Sequence, residues 1–521
     1  MASPAATIGG RVTRNTASML ASRVVMALAG LISVPVVYQH LGPREFGAWI
    51  VLASLLSMAA LLDLGLGSAL VREVARAQSP ADRDLVRRLL GLGLGWAVLL
   101  GLLTLGVLGA CWPWLTGLLR LGELAGEAWH ATLWMIVGLV ASAVELPWRA
   151  VLEGGQRYGS LATIGAGTAV LGAALTILVV RLDGGITPLA ASAAATGAIR
   201  TTLLAAAARR RRPELGPRWG RVGLDDVRRI SGYGLRVQVS SGAAVVNVEL
   251  DRLVLGGVFG TAVAGGFDLG ARLLNLLRLP PGFALIVLFP AAVARTVAQG
   301  TGWLERFHLS ATRYFALALA PATAALMVSA EPLVRLWMGH PIPWAAASIM
   351  TLAPAYAINL IAGATTVVAR AEGRPGLETR YVLLSVILNL ALTVPMLWLC
   401  GPLGVTLSTA LAVTLSTGYF LFHFHAATGR PLAALVRVVW PPIAAATAAG
   451  LIAAMASRFL PDGPNRLDAA LAVTTRTGLT MLITAALLVA GGHLGATDGL
   501  RLQRLLRARG TILSPAGGGR R

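Results

Sequence analysis

Long apolar runs, broken by short stretches of Arg, Gly and Pro, recur from one end of the chain to the other. Fourteen of them stand out, at about 18–40, 46–68, 89–111, 130–150, 160–181, 186–207, 232–254, 266–293, 309–330, 344–368, 381–400, 402–425, 437–458 and 472–494. Each is close to the roughly 20 residues a helix needs to cross a bilayer. None alternates apolar and polar positions over the length of a barrel strand. In hydrocarbon every backbone group must be satisfied within its own segment, so such runs predict helices. The expectation is an all-α polytopic membrane protein with about 14 transmembrane helices. The first run is too long for the apolar region of a signal peptide and is read as a retained span.

Composition sharpens this. The 521 residues are 56% hydrophobic and 13% charged, against about 25% charged in an ordinary soluble domain, and the mean hydropathy is +0.72. A soluble reading is thereby excluded. The net charge of +21 comes from 44 basic residues, all of them Arg, since the chain has no Lys. In a soluble protein such a surplus points to nucleic acid; in a membrane protein it marks cytoplasmic loops. The arginines do gather on alternate connections. Arg11, Arg14, Arg72, Arg76, Arg83, Arg87, Arg88, the loop Arg209–Arg229 and the C-terminal tail fall on one side. The other side holds Arg44, Arg120, Arg181, Arg252, Arg335, Arg458 and Arg466. Both termini are therefore expected in the cytoplasm, and no nucleic acid partner is expected.

Other chemistries find little support. Two cysteines, Cys111 and Cys400, make no disulfide framework, and no His, Cys, Asp and Glu cluster has metal-site spacing. Without Lys there is no phosphate loop of the G-x-x-x-x-G-K-[ST] type. Gly91-Leu92-Gly93-Leu94-Gly95 opens a span with no strand before it and reads as a helix-packing motif. The connections on the outer side are too short for a catalytic domain. A transporter is expected rather than an enzyme, with no cofactor and no metal.

The two halves of the chain match in register. Leu41-Gly42 and Gly47-Ala48-Trp49 return about 218 residues later as Phe259-Gly260 and Gly265-Gly266-Phe267. Ala75-Arg76 returns as Ala294-Arg295, Ala150 with Glu153-Gly154 as Ala369 with Glu372-Gly373, and Gly184 as Gly401. An even number of crossings separates the copies, so they share an orientation. This predicts two six-helix lobes in parallel pseudo-two-fold repeat around a central cavity, plus two extra C-terminal helices. The expected division is an N-lobe over 1–208, a basic cytoplasmic linker over 209–231, a C-lobe over 232–425, the two further helices over 426–496 and a basic cytoplasmic tail over 497–521.

Charges inside a span cost about 2.5–3.5 kcal/mol each on the insertion scale and mark pathways or pairs. In the run 232–254, Arg236, Ser240, Ala243, Asn247 and Asp251 follow one helical face. The next run opens with Asp268, Arg272 and Asn275 on one face, then Arg278 and Pro280-Pro281, a pair expected to kink the helix. Arg23 shares a face of the first span with Ala27, Gly30 and Tyr38. Together Arg23, Arg236, Arg272, Arg278, Asn247 and Asn275 would line a basic cavity. Such a cavity suits a phosphate-bearing ligand, because guanidinium groups bind phosphate oxygens bidentately and keep their charge. Asp63, Asp251 and Asp268 are the candidates for ion coupling or gating. Plainer roles stand beside these. Arg23 and Arg236 can snorkel to the headgroups, Asp268 and Arg272 can form an i,i+4 ion pair, and Asp63 can simply end a helix. Glu145 with Arg149 reads as a structural pair, and Arg200 and Arg476 as snorkelling or inter-helix residues. Trp112, Trp114, Trp129, Trp148, Trp303, Trp337, Trp344 and Trp440 stand at span ends and read as an interfacial belt.

Several of these stretches together resemble the Wzx-type polysaccharide flippases. They are Arg14-Asn15, Leu41-Gly42-Pro43-Arg44-Glu45-Phe46-Gly47-Ala48-Trp49 and Leu62-Asp63-Leu64-Gly65-Leu66-Gly67-Ser68-Ala69-Leu70-Val71-Arg72-Glu73 in the first half. In the second half they are Asp251-Arg252-Leu253-Val254-Leu255-Gly256, Gly265-Gly266-Phe267-Asp268-Leu269, Leu333-Val334-Arg335-Leu336-Trp337-Met338-Gly339 and Ala371-Glu372-Gly373-Arg374. The resemblance covers roughly residues 10–425 and implies the MATE/MurJ-like fold with alternating access. It implies as substrate an undecaprenyl-pyrophosphate-linked oligosaccharide, flipped to the outer leaflet of the bacterial inner membrane for surface polysaccharides such as O-antigen or exopolysaccharide. It further implies drive by membrane potential or an H+ or Na+ gradient without ATP, and polysaccharide polymerase and glycosyltransferases as partners. The alternative is a MATE-type exporter of small organic cations, which would want acids facing the cavity.

Overall fold

A computed structural model describes residues 4–63, 65–77, 79–220, 224–299, 301–459 and 463–494. Among them there are fifteen α-helices and no strand. The helices are α1 (Pro4–Ala59), α2 (Leu66–Arg76), α3 (Pro80–Leu118), α4 (Ala125–Gly154), α5 (Tyr158–Arg181), α6 (Ile186–Arg211), α7 (Leu224–Phe259) and α8 (Thr261–Gln299). They continue as α9 (Thr301–Val328), α10 (Ala330–Met338), α11 (Pro343–Ala371), α12 (Gly376–Cys400), α13 (Pro402–Thr428), α14 (Leu432–Ala456) and α15 (Arg466–Ala490). Every apolar run of the sequence falls on this set. Among the described residues, eleven helical segments are long and apolar enough to cross a membrane. One of these, Ala17–Asp63, is 47 residues long and takes up two of the runs. Helices α7 and α8 are not among the eleven; they carry Glu249, Asp251, Arg252, Asp268, Arg272 and Arg278.

The chain divides into two compact units. The first holds Met1–Phe283, Ile342–Ala355 and Pro375–Phe420. In it α4 lies between α3 and α6, α1 packs on α5, and α7 packs on α1, α2 and α12. Leu70, Val74, Leu89, Leu90, Val151, Leu152, Leu204 and Leu215 form one buried apolar cluster. Helix α1 breaks its helical geometry at Gly42, with φ 73° and ψ 172°, and the repeat-related Gly260 between α7 and α8 has φ 95°. Both turns need a left-handed backbone that a side chain resists. The two turns are also in contact. The Thr261 hydroxyl donates to the Arg44 carbonyl at 2.9 Å, and a Cβ on Gly265 would lie 3.0 Å from the Cα of Gly47.

Several local expectations need correction in this unit. The run 46–68 is not one helix. It stops at Asp63, whose Oδ1 accepts from the Gly65 amide at 2.9 Å, and α2 begins separately. The loosened carbonyls of Leu61 and Leu62 accept from Gln238 and Trp96, each at 3.0 Å. Glu145 pairs with Arg200 of α6 at 2.6 Å, not with Arg149, which pairs with Glu153. Trp148 is 5% exposed and sits in the core beneath the Arg209 guanidinium, so it is no part of an interfacial belt. Arg252, counted above among the loop arginines, lies within α7. The Gly-x-Gly-x-Gly stretch packs a helix and also seats the basic connection after α6. Gly93 makes room for Pro147 of α4, while Gly91 and Gly95 face Arg218 and Trp219.

The second unit holds Ala284–Pro341, Tyr356–Arg374 and Leu421–Arg521. Here α9 packs on α14 and α15. The break between α9 and α10 is held from α15, where Arg476 donates to the Val328 carbonyl at 3.3 Å and Thr477 meets Ser329 at 3.2 Å. Arg476 is therefore an inter-helix residue. Arg335 of α10 donates to the Gly463 carbonyl at 2.7 Å. The other end of the unit carries a buried polar knot, with His308 2.8 Å from the Thr365 hydroxyl and Arg430 paired to Glu372 at 2.6 Å.

Candidate functional site

Helix α7 presents two adjoining polar faces, and each meets a different neighbour. On one face Asn247 and Asp251, one turn apart, meet a polar stripe on α12 and α13. The Asn247 amide donates to the Ser385 hydroxyl at 3.2 Å, and the Asn389 amide donates to Asn247 Oδ1 at 3.2 Å. Asn389 Oδ1 accepts from Ser408 and Thr409, both at 3.1 Å, and Thr393 lies 3.1 Å from Ser408. The Thr409 hydroxyl also reaches Asp251 Oδ2 at 2.7 Å. Asp251 is 2% exposed, and its Oδ1 is buried without a hydrogen-bond partner among the described residues. Asp251 thus holds a neutral hydroxyl at hydrogen-bond distance and stands at the edge of a network of hydroxyl and amide groups.

On the adjoining face, Arg252 holds Glu249 on its own helix and reaches across to α8. Arg252 Nη1 donates to Glu249 at 2.6 Å and Nη2 to Asp268 Oδ1 at 2.7 Å. Asp268 Oδ2 accepts from Arg272 Nε at 2.5 Å. Asp268 is thus shared by two guanidinium groups and is 1% exposed, whereas the Arg272 side chain is 38% exposed. Burial of a charge at this depth is tolerable only when it is paired and hydrogen-bonded. The row Glu249–Arg252–Asp268–Arg272 meets that condition; Asp251 does not. Further along α8, Arg278 donates to Asn275 at 3.3 Å on an exposed face. The helical pattern of α8 runs on through Pro280 and Pro281 without interruption.

The sequence-derived candidates therefore separate into groups. Asn247 and Asp251 come together with α12 and α13. Asp268 and Arg272 come together with Arg252, which stands on α7 and not in a connection. Asn275 and Arg278 form a third group. Arg23 is exposed on α1 beside the buried Ser22. Asp63 is occupied in its own turn. The side chain of Arg236 lies outside the described residues. The residues not anticipated are Ser385, Asn389, Thr393, Ser408 and Thr409. The first three repeat every fourth position along an apolar helix, a polar stripe that periodicity could have revealed. Among the described residues no group of three or more His, Cys, Asp or Glu could hold a metal ion.

Among the described residues the chain is all-helical, with eleven segments long and apolar enough to cross a membrane, and its relatives are membrane transporters. The chain belongs to the family described as polysaccharide biosynthesis protein, which matches residues 12–294. Solved structures share its fold at low identity. The lipid II flippase MurJ in an inward closed conformation is 12% identical, with 90% of this chain and 98% of that one covered and a TM-score of 0.68. A MOP superfamily transporter from Pyrococcus furiosus is 17% identical over 82% of this chain and 96% of its own, with a TM-score of 0.56. A point mutant of the Vibrio cholerae MATE transporter VcmN is 16% identical over 82% of this chain and 98% of its own, with a TM-score of 0.54. No curated protein matches the chain. The protein is a multi-pass membrane transporter of this family.

Proposed function

We propose that the protein flips undecaprenyl-pyrophosphate-linked oligosaccharide repeat units from the cytoplasmic to the outer leaflet of the bacterial inner membrane, with both of its own termini cytoplasmic. Family membership supports a role in polysaccharide assembly, and the fold shared with a lipid II flippase supports a lipid-linked cargo. The observation that carries the reading is the accessible guanidinium of Arg272, anchored from behind by the buried Asp268. An anchored, open arginine binds a diphosphate bidentately at little entropic cost. Arg278 adds a second accessible cation on the same helix. The sugar rides in water, the lipid tail stays in hydrocarbon, and alternating access exposes the site to either side. Polymerase and glycosyltransferases supply and consume the cargo.

Drive comes from a monovalent cation, H+ or Na+, taken up at Asp251, without ATP. The support is the buried, partnerless carboxylate oxygen Oδ1 of Asp251, with the Thr409 hydroxyl on its other oxygen and Asn389 Oδ1 within reach of that hydroxyl. A hard cation prefers such oxygen ligands, and a proton would equally neutralise the buried charge.

The test is complementation of a flippase-deficient strain, with surface polysaccharide as readout and protein level monitored. Wild-type chain restores the polysaccharide, and Arg272→Glu abolishes restoration at unchanged protein level. Full restoration by Arg272→Glu overturns the site. Altered drug susceptibility with no effect on surface polysaccharide favours a MATE-type exporter instead.

A further inference from the structure

Residues 212–220, which follow α6, turn back and lie along α3 near its start as a strap. Leu215 is buried in the apolar cluster of this unit. Arg87 Nε donates to the Gly216 carbonyl at 3.2 Å, and the Arg218 amide donates to the Arg87 carbonyl at 2.9 Å. From there the strap follows one stripe of α3. Arg87, Gly91, Gly95 and Leu99 are spaced four residues apart, and Leu102 continues the same face. A Cβ on Gly91 would lie 2.5 Å from the Arg218 carbonyl oxygen, and one on Gly95 would lie 3.5 Å from the Trp219 indole. Further along the stripe, Leu99 and Leu102 are 43% and 62% exposed. On a spanning helix, exposed leucines of this kind face lipid tails, which are as apolar as they are. Trp219 is itself 73% exposed.

The strap and its seat are strongly basic. Residues 209–220 carry five arginines and one acid, Glu214, which Arg212 occupies at 3.3 Å. Arg88 and Arg218 share the single carboxylate of Asp84 at 2.6 and 3.1 Å. Arg209, Arg210 and Arg211 form the last turn of α6 and are exposed.

We propose that the strap is a binding site for an anionic phospholipid. The lipid phosphate lies on the guanidinium groups of Arg87, Arg88 and Arg218, while the Trp219 indole enters the bilayer at the boundary of headgroup and acyl chain. Such a site is independent of the cargo and of Asp251. The indole selects a lipid over a soluble anion. It is an amphipathic ring that favours the membrane interface, and Gly95, on which it rests, stands about 12 Å along α3 from Arg87. The arginines select an anionic headgroup, since guanidinium binds phosphate oxygens bidentately, whereas a choline group would return a positive charge to an already basic patch. Protein contacts hold the strap in place beforehand, so binding has little chain left to order.

The experiment follows amide exchange across residues 212–220 of the purified full chain in nanodiscs of phosphatidylcholine, alone or with phosphatidylglycerol. Phosphatidylglycerol is expected to slow exchange there by about fivefold or more, the effect of a single arginine near an anionic surface. The connection 182–185, at the opposite end of α6, is expected not to respond. Molar sodium chloride shortens electrostatic reach to about 3 Å and is expected to erase the difference. The double variant Arg88→Gln, Arg218→Gln leaves Asp84 bare and is expected to erase it as well. The readout is a ratio between lipids, so a strap loosened in both still reports. Trp219→Ala is expected to speed exchange even in phosphatidylcholine, because the indole anchors through its apolar ring. Equal exchange of the wild type in the two lipids overturns the site and leaves the patch to an acidic protein partner. A difference that survives molar salt, or that the double variant retains, overturns it too, as does unchanged exchange in Trp219→Ala. If the double variant does not fold, the salt series decides.

Discussion

Gly47 and Gly265 occupy the same position in the two halves of the sequence and lie against each other, the Cα of Gly47 being 3.0 Å from where a Gly265 Cβ would stand. A Cβ on Gly47 would collide with the Thr261 carbonyl. Such contact leaves no room for a side chain on either side of the joint. Gly47→Val is expected to cost about 1–3 kcal/mol through overpacking. It should lower the melting temperature in detergent and impair complementation, because the joint cannot close. An unchanged melting temperature would show that the two turns do not meet this tightly.

Asp251 is a buried carboxylate whose Oδ1 has no hydrogen-bond partner among the described residues. Asp251→Asn keeps its shape and removes an uncompensated charge, so folding stability should hold or rise while transport is lost. Thermal unfolding and complementation measured together check this. A variant that unfolds earlier than wild type and still transports would remove Asp251 from the coupling role.

Glu145 and Arg200 tie α4 to α6 at 2.6 Å, with Glu145 nearly buried and the Arg200 side chain 34% exposed. Removing one partner of a fully buried pair costs about 3–5 kcal/mol. Water reaching Arg200 reduces this, so Arg200→Ala is expected to destabilise by about 1–3 kcal/mol. Adding Glu145→Leu should recover most of the loss, since the stranded carboxylate goes with it. A double-mutant cycle on thermal unfolding measures the coupling.

Asp84 accepts from Arg88 at 2.6 Å and from Arg218 at 3.1 Å, fastening the basic connection after α6 to the start of α3. The Arg218 amide also donates to the Arg87 carbonyl at 2.9 Å. Exposed pairs are worth little, about 0–1 kcal/mol, so Asp84→Asn should barely change global stability. It should instead speed amide exchange across residues 212–220. Exchange left at the wild-type rate would show that Leu215, buried in the apolar cluster, suffices to hold the segment.

How much of this was written in the chain differs from element to element. The helices were legible because hydrocarbon admits no unsatisfied backbone, which makes apolar runs of this length helical whatever surrounds them. Gly42 and Gly260 were legible as like-spaced positions, and both take a positive φ that only glycine adopts without strain. The stripe Asn247–Asp251 and the pair Asp268–Arg272 were legible from helical spacing. The partners of Glu145, the burial of Trp148 and the stop at Asp63 were not, because each depends on a helix or turn that spacing along one span does not reveal.

The sequence by itself thus determined a polytopic helical membrane protein and named several of the charged residues that its helices carry. Only the tertiary structure decided which charges neutralise one another. Spacing along a helix gives the face on which a residue stands, while the energy of a charge in a membrane depends on what packs against that face. Arg252 and Asp251 differ by one position in the chain, and that single step places one in a row of ion pairs and the other among neutral oxygens.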